Sequence, residues 1–229
     1  MGMTRRDELA ANLADLRTRI SNAATAAGRS PDDVQLIAVT KTWPLSDVQL
    51  LYDLGLREFG ESRDQEARPK AEEWERIDGR PITWHFIGQL QSNKAKSVVT
   101  YASMIHTVDR ASLVDALLRT GMERDCLLQL SVDGDPDRGG VPLADAADLA
   151  ARIAAPLRLR GVMAVAPLGM DPAAAFEAVR ITHEQLLTTF PAATIRCIGM
   201  SEDLEIAIAA GATHVRVGSA LLGNRPPAH

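Results

Sequence analysis

The chain is poor in three things: it has two cysteines in 229 residues, 4 % aromatic side chains and only four lysines. Two cysteines cannot staple a small scaffold, and at 46 % hydrophobic this length buries a full core without disulfides or metals. Cys126 and Cys197 each sit in a short apolar run, as buried reduced thiols do, which fits a cytoplasmic compartment. No apolar run approaches the roughly 18 residues that span a bilayer, and the charged Met1–Ala10 segment is not a targeting signal. Arg6 stands where a myristoylation signal needs Ser or Thr. Membrane attachment is therefore not expected.

Neither sign of charge dominates: 25 basic residues face 30 acidic ones, scattered along the chain. Without a basic stripe, nucleic acid is not an expected partner. The five histidines form no His-x-His or His-Glu-x-x-His spacing, so no metal site is indicated. Gly-x-Ser-x-Gly and Walker signatures are also missing. No low-complexity linker divides the chain, so residues 1–229 read as a single domain, with the Pro-rich 225–229 tail as a frayed end.

The lysine shortage turns attention to what is present. Arg supplies 21 of the 25 cations, and the lysines are Lys41, Lys70, Lys94 and Lys96. Arg and Lys serve equally as solvated charge, so codon bias accounts for three of these, which lie in polar company. Lys41 follows an apolar run instead.

Hydrophobic periodicity alternates between two kinds. Leu9, Leu13, Leu16 and Ile20 mark an amphipathic helix over residues 6–27, closed by Gly28. Strand-like runs follow at 34–39, 57–60, 82–87, 104–108, 126–132, 159–165, 195–199 and 214–217. Helical patterns lie between them at 47–54 (Ser46 as N-cap), 64–76, 93–100, 110–120, 142–154, 172–189 and 202–210. Strands that alternate with helices and are apolar on both faces predict a covered parallel sheet. Eight such units predict a closed (β/α)8 barrel of the TIM type with an extra N-terminal helix. An open doubly wound sheet is the competitor, weakened by the missing Gly-x-Gly-x-x-Gly turn.

Barrel active sites lie at the carboxyl ends of the strands, and phosphate sites form after the seventh and eighth. Lys41 tops the first strand. Gly199-Met200-Ser201-Glu202-Asp203 follows the seventh, with Ser201 as the expected N-cap of the next helix, and Gly218-Ser219-Ala220 follows the eighth. Exposed N–H groups, two hydroxyls and a close-approach glycine make a phosphate cradle. The eighth strand closes against the first, so a phosphate held there lies within one small molecule of Lys41. A partly desolvated lysine forms Schiff bases with carbonyls. Both a sugar-phosphate aldehyde and pyridoxal phosphate meet these demands. Arg216, in the eighth strand, either points inward toward a bound ring, or pairs with a core carboxylate or covers the barrel end.

The sequence resembles the pyridoxal-phosphate homeostasis proteins, whose fold is like the alanine racemase N-terminal barrel. The matching stretches include Ala38-Val39-Thr40-Lys41-Thr42, Phe59-Gly60-Glu61, His85-Phe86-Ile87-Gly88-Gln89-Leu90-Gln91-Ser92-Asn93-Lys94, Gly199-Met200-Ser201-Glu202-Asp203 and Val215-Arg216-Val217-Gly218-Ser219. They run in order through nearly the whole chain. The resemblance implies that Lys41 bonds pyridoxal 5′-phosphate as a Schiff base, that Ser201, Gly218 and Ser219 hold its phosphate, and that Arg216 lies near the ring nitrogen. Ser62 stands where the family has a cofactor-side Asn and is implied to contact the cofactor with a shortened side chain, Ser131 replaces a common Asn, and Arg138 a usual Lys.

The implied role is intracellular homeostasis of the cofactor, held and then released or transferred, with contacts to acceptor enzymes and a monomeric or weakly oligomeric state. Racemisation needs acid/base groups on both faces of the substrate, and the chain ends soon after its eighth strand, so no catalytic residue is assigned. A racemase-like enzyme and a Schiff-base aldolase remain the alternatives. His85 and His106 read as satisfied core or rim histidines, Ser92 as a candidate helix cap, and 134–140 as a mobile connector.

Overall fold

The computed structural model describes residues 2–154 and 156–223, so the predicted frayed tail at 225–229 lies outside it. Its strands are β1 (Gln35–Val39), β2 (Glu58–Glu61), β3 (Thr83–Phe86), β4 (Met104–Val108), β5 (Asp125–Ser131), β6 (Arg158–Met163), β7 (Ile195–Cys197) and β8 (His214–Val217). Each pairs in parallel with the next, and β8 returns to β1 with Ile37 opposite Arg216. The sheet is a closed eight-stranded barrel of the TIM type. An added two-residue strand, Val141–Pro142, pairs with Leu130 and Ser131 at the end of β5.

The helices are α1 (Arg5–Ala26), α2 (Leu45–Asp53), α3 (Asp64–Ile77), α4 (Ala95–Val98), α5 (Ala111–Leu118), α6 (Ala146–Ala154), α7 (Pro172–Thr189), α8 (Leu204–Ala209) and α9 (Ser219–Leu222). The strands are apolar on both faces because each face meets a different layer. Leu36, Ala38, Phe59, Ile105 and Leu128 pack under the helices, while Ile37, Met104, Leu127, Met163 and Cys197 form the small barrel interior. The predicted N-terminal helix forms with a Thr4–Asp7 capping box and buries Leu9, Leu13, Leu16, Ile20 and Ala24. Gly28 (φ 69°) follows its last turn, a left-handed position that glycine adopts without a Cβ penalty.

Three local expectations are corrected. Ser46 lies inside α2, whose N-cap is Pro44. The 93–100 helix contracts to a 3-10 turn at Ser92–Lys94, capped by Gln91 and not Ser92, and the single turn α4. The 142–154 helix begins at Ala146, because Val141–Pro142 is drawn onto β5 and a 3-10 turn intervenes.

The barrel interior also carries charge and imidazole. His106 Nε2 lies 2.8 Å from His85 Nδ1, and His85 Nε2 lies 2.6 Å from Glu58 Oε2. A carboxylate accepts only, so with both rings neutral His85 donates to Glu58 and His106 donates to His85. His106 Nδ1 is then a buried acceptor, and it has no partner among the described residues. His85 is the satisfied histidine expected; His106 is not. Burial, then the neighbouring His85, holds His106 well below the ordinary imidazole range, and burial pushes His214 down to about 4.

Candidate functional site

Around the carboxyl end of the barrel lies a cavity of about 570 Å³, a volume typical of small-molecule sites. Lys41, Ser201, Arg216, Gly218 and Ser219 all line it, together with Val39 and Ile87 below and Trp43, Leu168 and Met170 at the mouth. Five residues singled out by sequence thus meet around one space.

Lys41 is the second residue of a turn closed by Trp43 N–H donating to the Thr40 carbonyl at 3.1 Å. Thr42, the third, has φ 69°, and it is the one non-glycine positive φ among the described residues. A β-branched side chain there costs on the order of 1–3 kcal/mol, and such strain concentrates at functional sites.

The two serines arrive from separate turns. Gly199 ends the β7 run at φ 90°, where a Cβ would come within 2.4 Å of Ala207 Cβ, so only glycine lets α8 pack this closely. Ser201 is not the N-cap expected: α8 starts at Leu204 after Asp203, whose carboxylate accepts from the Met200 N–H at 2.6 Å. The Ser201 hydroxyl faces the next turn instead, 3.1 Å from Ser219 Oγ and accepting from the Ala220 N–H at 3.3 Å. Its carbonyl is fixed by Arg19 of α1 at 2.9 Å, so the extra helix braces this turn. Gly218 sits beside Val39 of β1, where a Cβ would meet Val39 at 3.5 Å.

Arg216 is buried and does not pair with a carboxylate among the described residues. Its guanidinium donates to the Cys197 carbonyl at 2.7 Å, the Cys197 sulfur at 3.0 Å and the Ala164 carbonyl at 2.9 Å. Neutral acceptors orient the group and leave its positive charge on the cavity wall. Cys197 and Cys126 are both buried free thiols, and burial raises both, Cys126 to about 12.

Ser62 is not brought to the cavity. It follows β2, where Gly88 packs against its backbone so tightly that a Cβ on Gly88 would overlap the Ser62 carbonyl. Ser131 instead accepts from the Gly134 N–H at 3.0 Å. Arg138 donates to the Ala166 carbonyl at 3.0 Å and the Val165 carbonyl at 3.4 Å, which joins the 134–140 loop to the segment after β6.

Lys70 is the residue that sequence reasoning placed wrongly. Its side chain is only 9 % exposed, and its ammonium lies 2.5 Å from Glu61 Oε1 and 3.0 Å from the Thr40 carbonyl. The signal was its spacing: Ala67, Lys70, Ala71 and Trp74 follow the i, i+3, i+4, i+7 pattern of the buried face of α3.

Comparison with known proteins fits this geometry. Residues 9–226 match the family described as alanine racemase, N-terminal domain. The pyridoxal phosphate homeostasis protein of Mycobacterium leprae is 40 % identical over 96 % of this chain and 93 % of that protein. The protein of the same name from Escherichia coli is 37 % identical, covering 96 % and 97 %. The chain belongs to the pyridoxal phosphate homeostasis protein family. PipY of Synechococcus elongatus, solved with PLP bound, superimposes with a TM-score of 0.81 at 34 % identity, over 94 % of this chain and all of PipY. The alanine racemase of Corynebacterium glutamicum shares the fold, with a TM-score of 0.68 at 15 % identity over 94 % of this chain and 60 % of that enzyme.

Proposed function

We propose that this chain binds pyridoxal 5′-phosphate covalently on Lys41 and serves intracellular homeostasis of the cofactor, holding it and then releasing or transferring it without classical turnover. The observation that carries this reading is one cavity lined by an amine, a facing pair of hydroxyls and a buried guanidinium from three separate stretches of chain. When bound, the group supplies an aldehyde carbon to which an amine adds with loss of water. Lys41 is that amine. Ser201 and Ser219 donate to phosphate oxygens, and Gly218 lets the backbone approach them. Arg216 presents fixed positive charge that disfavours protonation of a facing ring nitrogen, which weakens the electron sink that pyridoxal enzymes exploit. Ser62 has no part in this assignment.

The reading extends to a single domain acting in the cytoplasm as a monomer or weak homo-oligomer, with pyridoxal-acceptor enzymes as transient partners. No helix among the described residues is long and apolar enough to cross a membrane. The test is transfer. Protein loaded with the cofactor and freed of excess should restore activity to a pyridoxal-free acceptor enzyme, and the Lys41→Ala variant should not. Steady deuterium exchange at the Cα of an amino acid, lost in the same variant, would replace the carrier reading with a racemase-like one.

A further inference from the structure

The turn that carries Lys41 is not self-sufficient. Thr42 occupies the positive-φ third position that glycine or asparagine ordinarily fills, so the turn needs anchors outside itself. The structure supplies two, both from α3. Lys70 donates to the carbonyl of Thr40, the residue before Lys41, at 3.0 Å. Glu66, one helical turn earlier, accepts from the N–H of Thr42, the residue after Lys41, at 3.2 Å. Lys70 is itself fixed by Glu61 of β2, whose Oε1 also accepts from the Thr40 hydroxyl at 2.8 Å. Thr40 is therefore held at carbonyl and hydroxyl by one ion pair. Thr40 and Glu61 are buried, the Lys70 side chain is 9 % exposed, and Glu61 Oε2 has no hydrogen-bond partner among the described residues.

An ion pair this deep is a poor source of stability compared with apolar packing, but it fixes geometry. Burial raises the Glu61 carboxyl above its ordinary range in spite of Lys70.

We propose that α3 is a positioning clamp for Lys41: Lys70, backed by Glu61, and Glu66 fix the backbone on its two sides, and so aim its amine into the cavity. The proposal rests on Lys41 being the covalent residue. Lys70, Glu61 and Glu66 do not line the cavity; they act through the turn.

The variants Lys70→Met and Glu66→Ala separate aiming from folding. Pyridoxine 5′-phosphate, which has no aldehyde, reads the cavity and phosphate cradle alone. Pyridoxal 5′-phosphate followed by borohydride and peptide mapping reads capture by Lys41. In the pyridoxal-free protein, brief reductive methylation reads the reactivity of Lys41 against Lys94 and Lys96.

The expected result is unchanged affinity for pyridoxine 5′-phosphate, with covalent capture slowed at least about tenfold in each variant and the relative methylation rate of Lys41 altered. Equal loss of both ligands, or unaltered capture and methylation, overturns the clamp. Lys70→Met leaves a buried carboxylate unpaired; if it does not fold, Glu66→Ala decides alone, since Glu66 is partly exposed and outside the ion pair. Native protein that captures no pyridoxal on Lys41 refutes the underlying assignment, whereas normal native capture with unaffected variants refutes only the clamp.

Discussion

The hydroxyl oxygens of Ser201 and Ser219 lie 3.1 Å apart although 18 residues separate them, because the turns after β7 and β8 converge at the barrel's carboxyl end. In the proposed reading, two hydroxyls that close together, on a cavity wall shared with Lys41, hold the one phosphate group. The Ser201→Ala/Ser219→Ala variant should weaken binding of pyridoxal 5′-phosphate by about 2 kcal/mol, near 30-fold, and leave unphosphorylated pyridoxal unaffected. Parallel titrations with the two aldehydes check this, and equal weakening of both would remove the serines from the phosphate site.

Acid should destabilise the fold before the carboxylates titrate. His214 is held near 4 and His106 well below its ordinary value, both first by burial, so both are neutral in the folded state. Unfolded histidine titrates near 6.5. Below that pH the unfolded chain binds protons that the folded chain refuses, so stability is full above about 6.5 and falls toward pH 4. For His214 alone the loss is roughly 3 kcal/mol over that window. Urea midpoints measured from pH 7.5 to 4.5 should show this slope, and His214→Asn should flatten it.

Two glycines with positive φ should respond unequally to alanine. At Gly161 (φ 150°) a Cβ would lie 1.9 Å from the Ile195 carbonyl oxygen in the neighbouring strand, so β6 and β7 must separate. At Gly121 (φ 70°) a Cβ meets nothing within 4 Å. Gly161→Ala should cost more than about 3 kcal/mol, and Gly121→Ala about 1 kcal/mol for the backbone conformation alone. Thermal melts of the two variants make the comparison.

The thiols should be inert. Cys126 and Cys197 are wholly buried and their thiolates are disfavoured, so an aromatic disulfide reagent should label neither in native protein and both in urea. Rapid native labelling would contradict the packing of the barrel wall.

The barrel was legible because its signal is periodic: eight apolar runs separated by helical patterns leave little choice of layer architecture. The position of Lys41 on the cavity was legible because the end of the first strand falls on the face where barrels place chemistry, and lysine's scarcity drew attention to it. Lys70 was missed through attention to its charged neighbours, when Ala67, Ala71 and Trp74 set it on the buried face of α3. Ser201 as a helix cap and Arg216 as the partner of a carboxylate were local readings. The three-dimensional convergence of turns overrode the first. The carbonyl acceptors of Cys197 in β7 and of Ala164 just past β6 replaced the second. The imidazole chain from Glu58 through His85 to His106 crosses three strands, and no spacing along one segment reveals it.

The measurement that bears most directly on the central claim is borohydride reduction of the protein with pyridoxal 5′-phosphate, followed by peptide mapping. The account predicts a visible absorbance band that reduction bleaches, a single pyridoxyl group on Lys41, and no band in Lys41→Ala. A label on Lys70, Lys94 or Lys96 in place of Lys41, or a band that survives in Lys41→Ala, would contradict it.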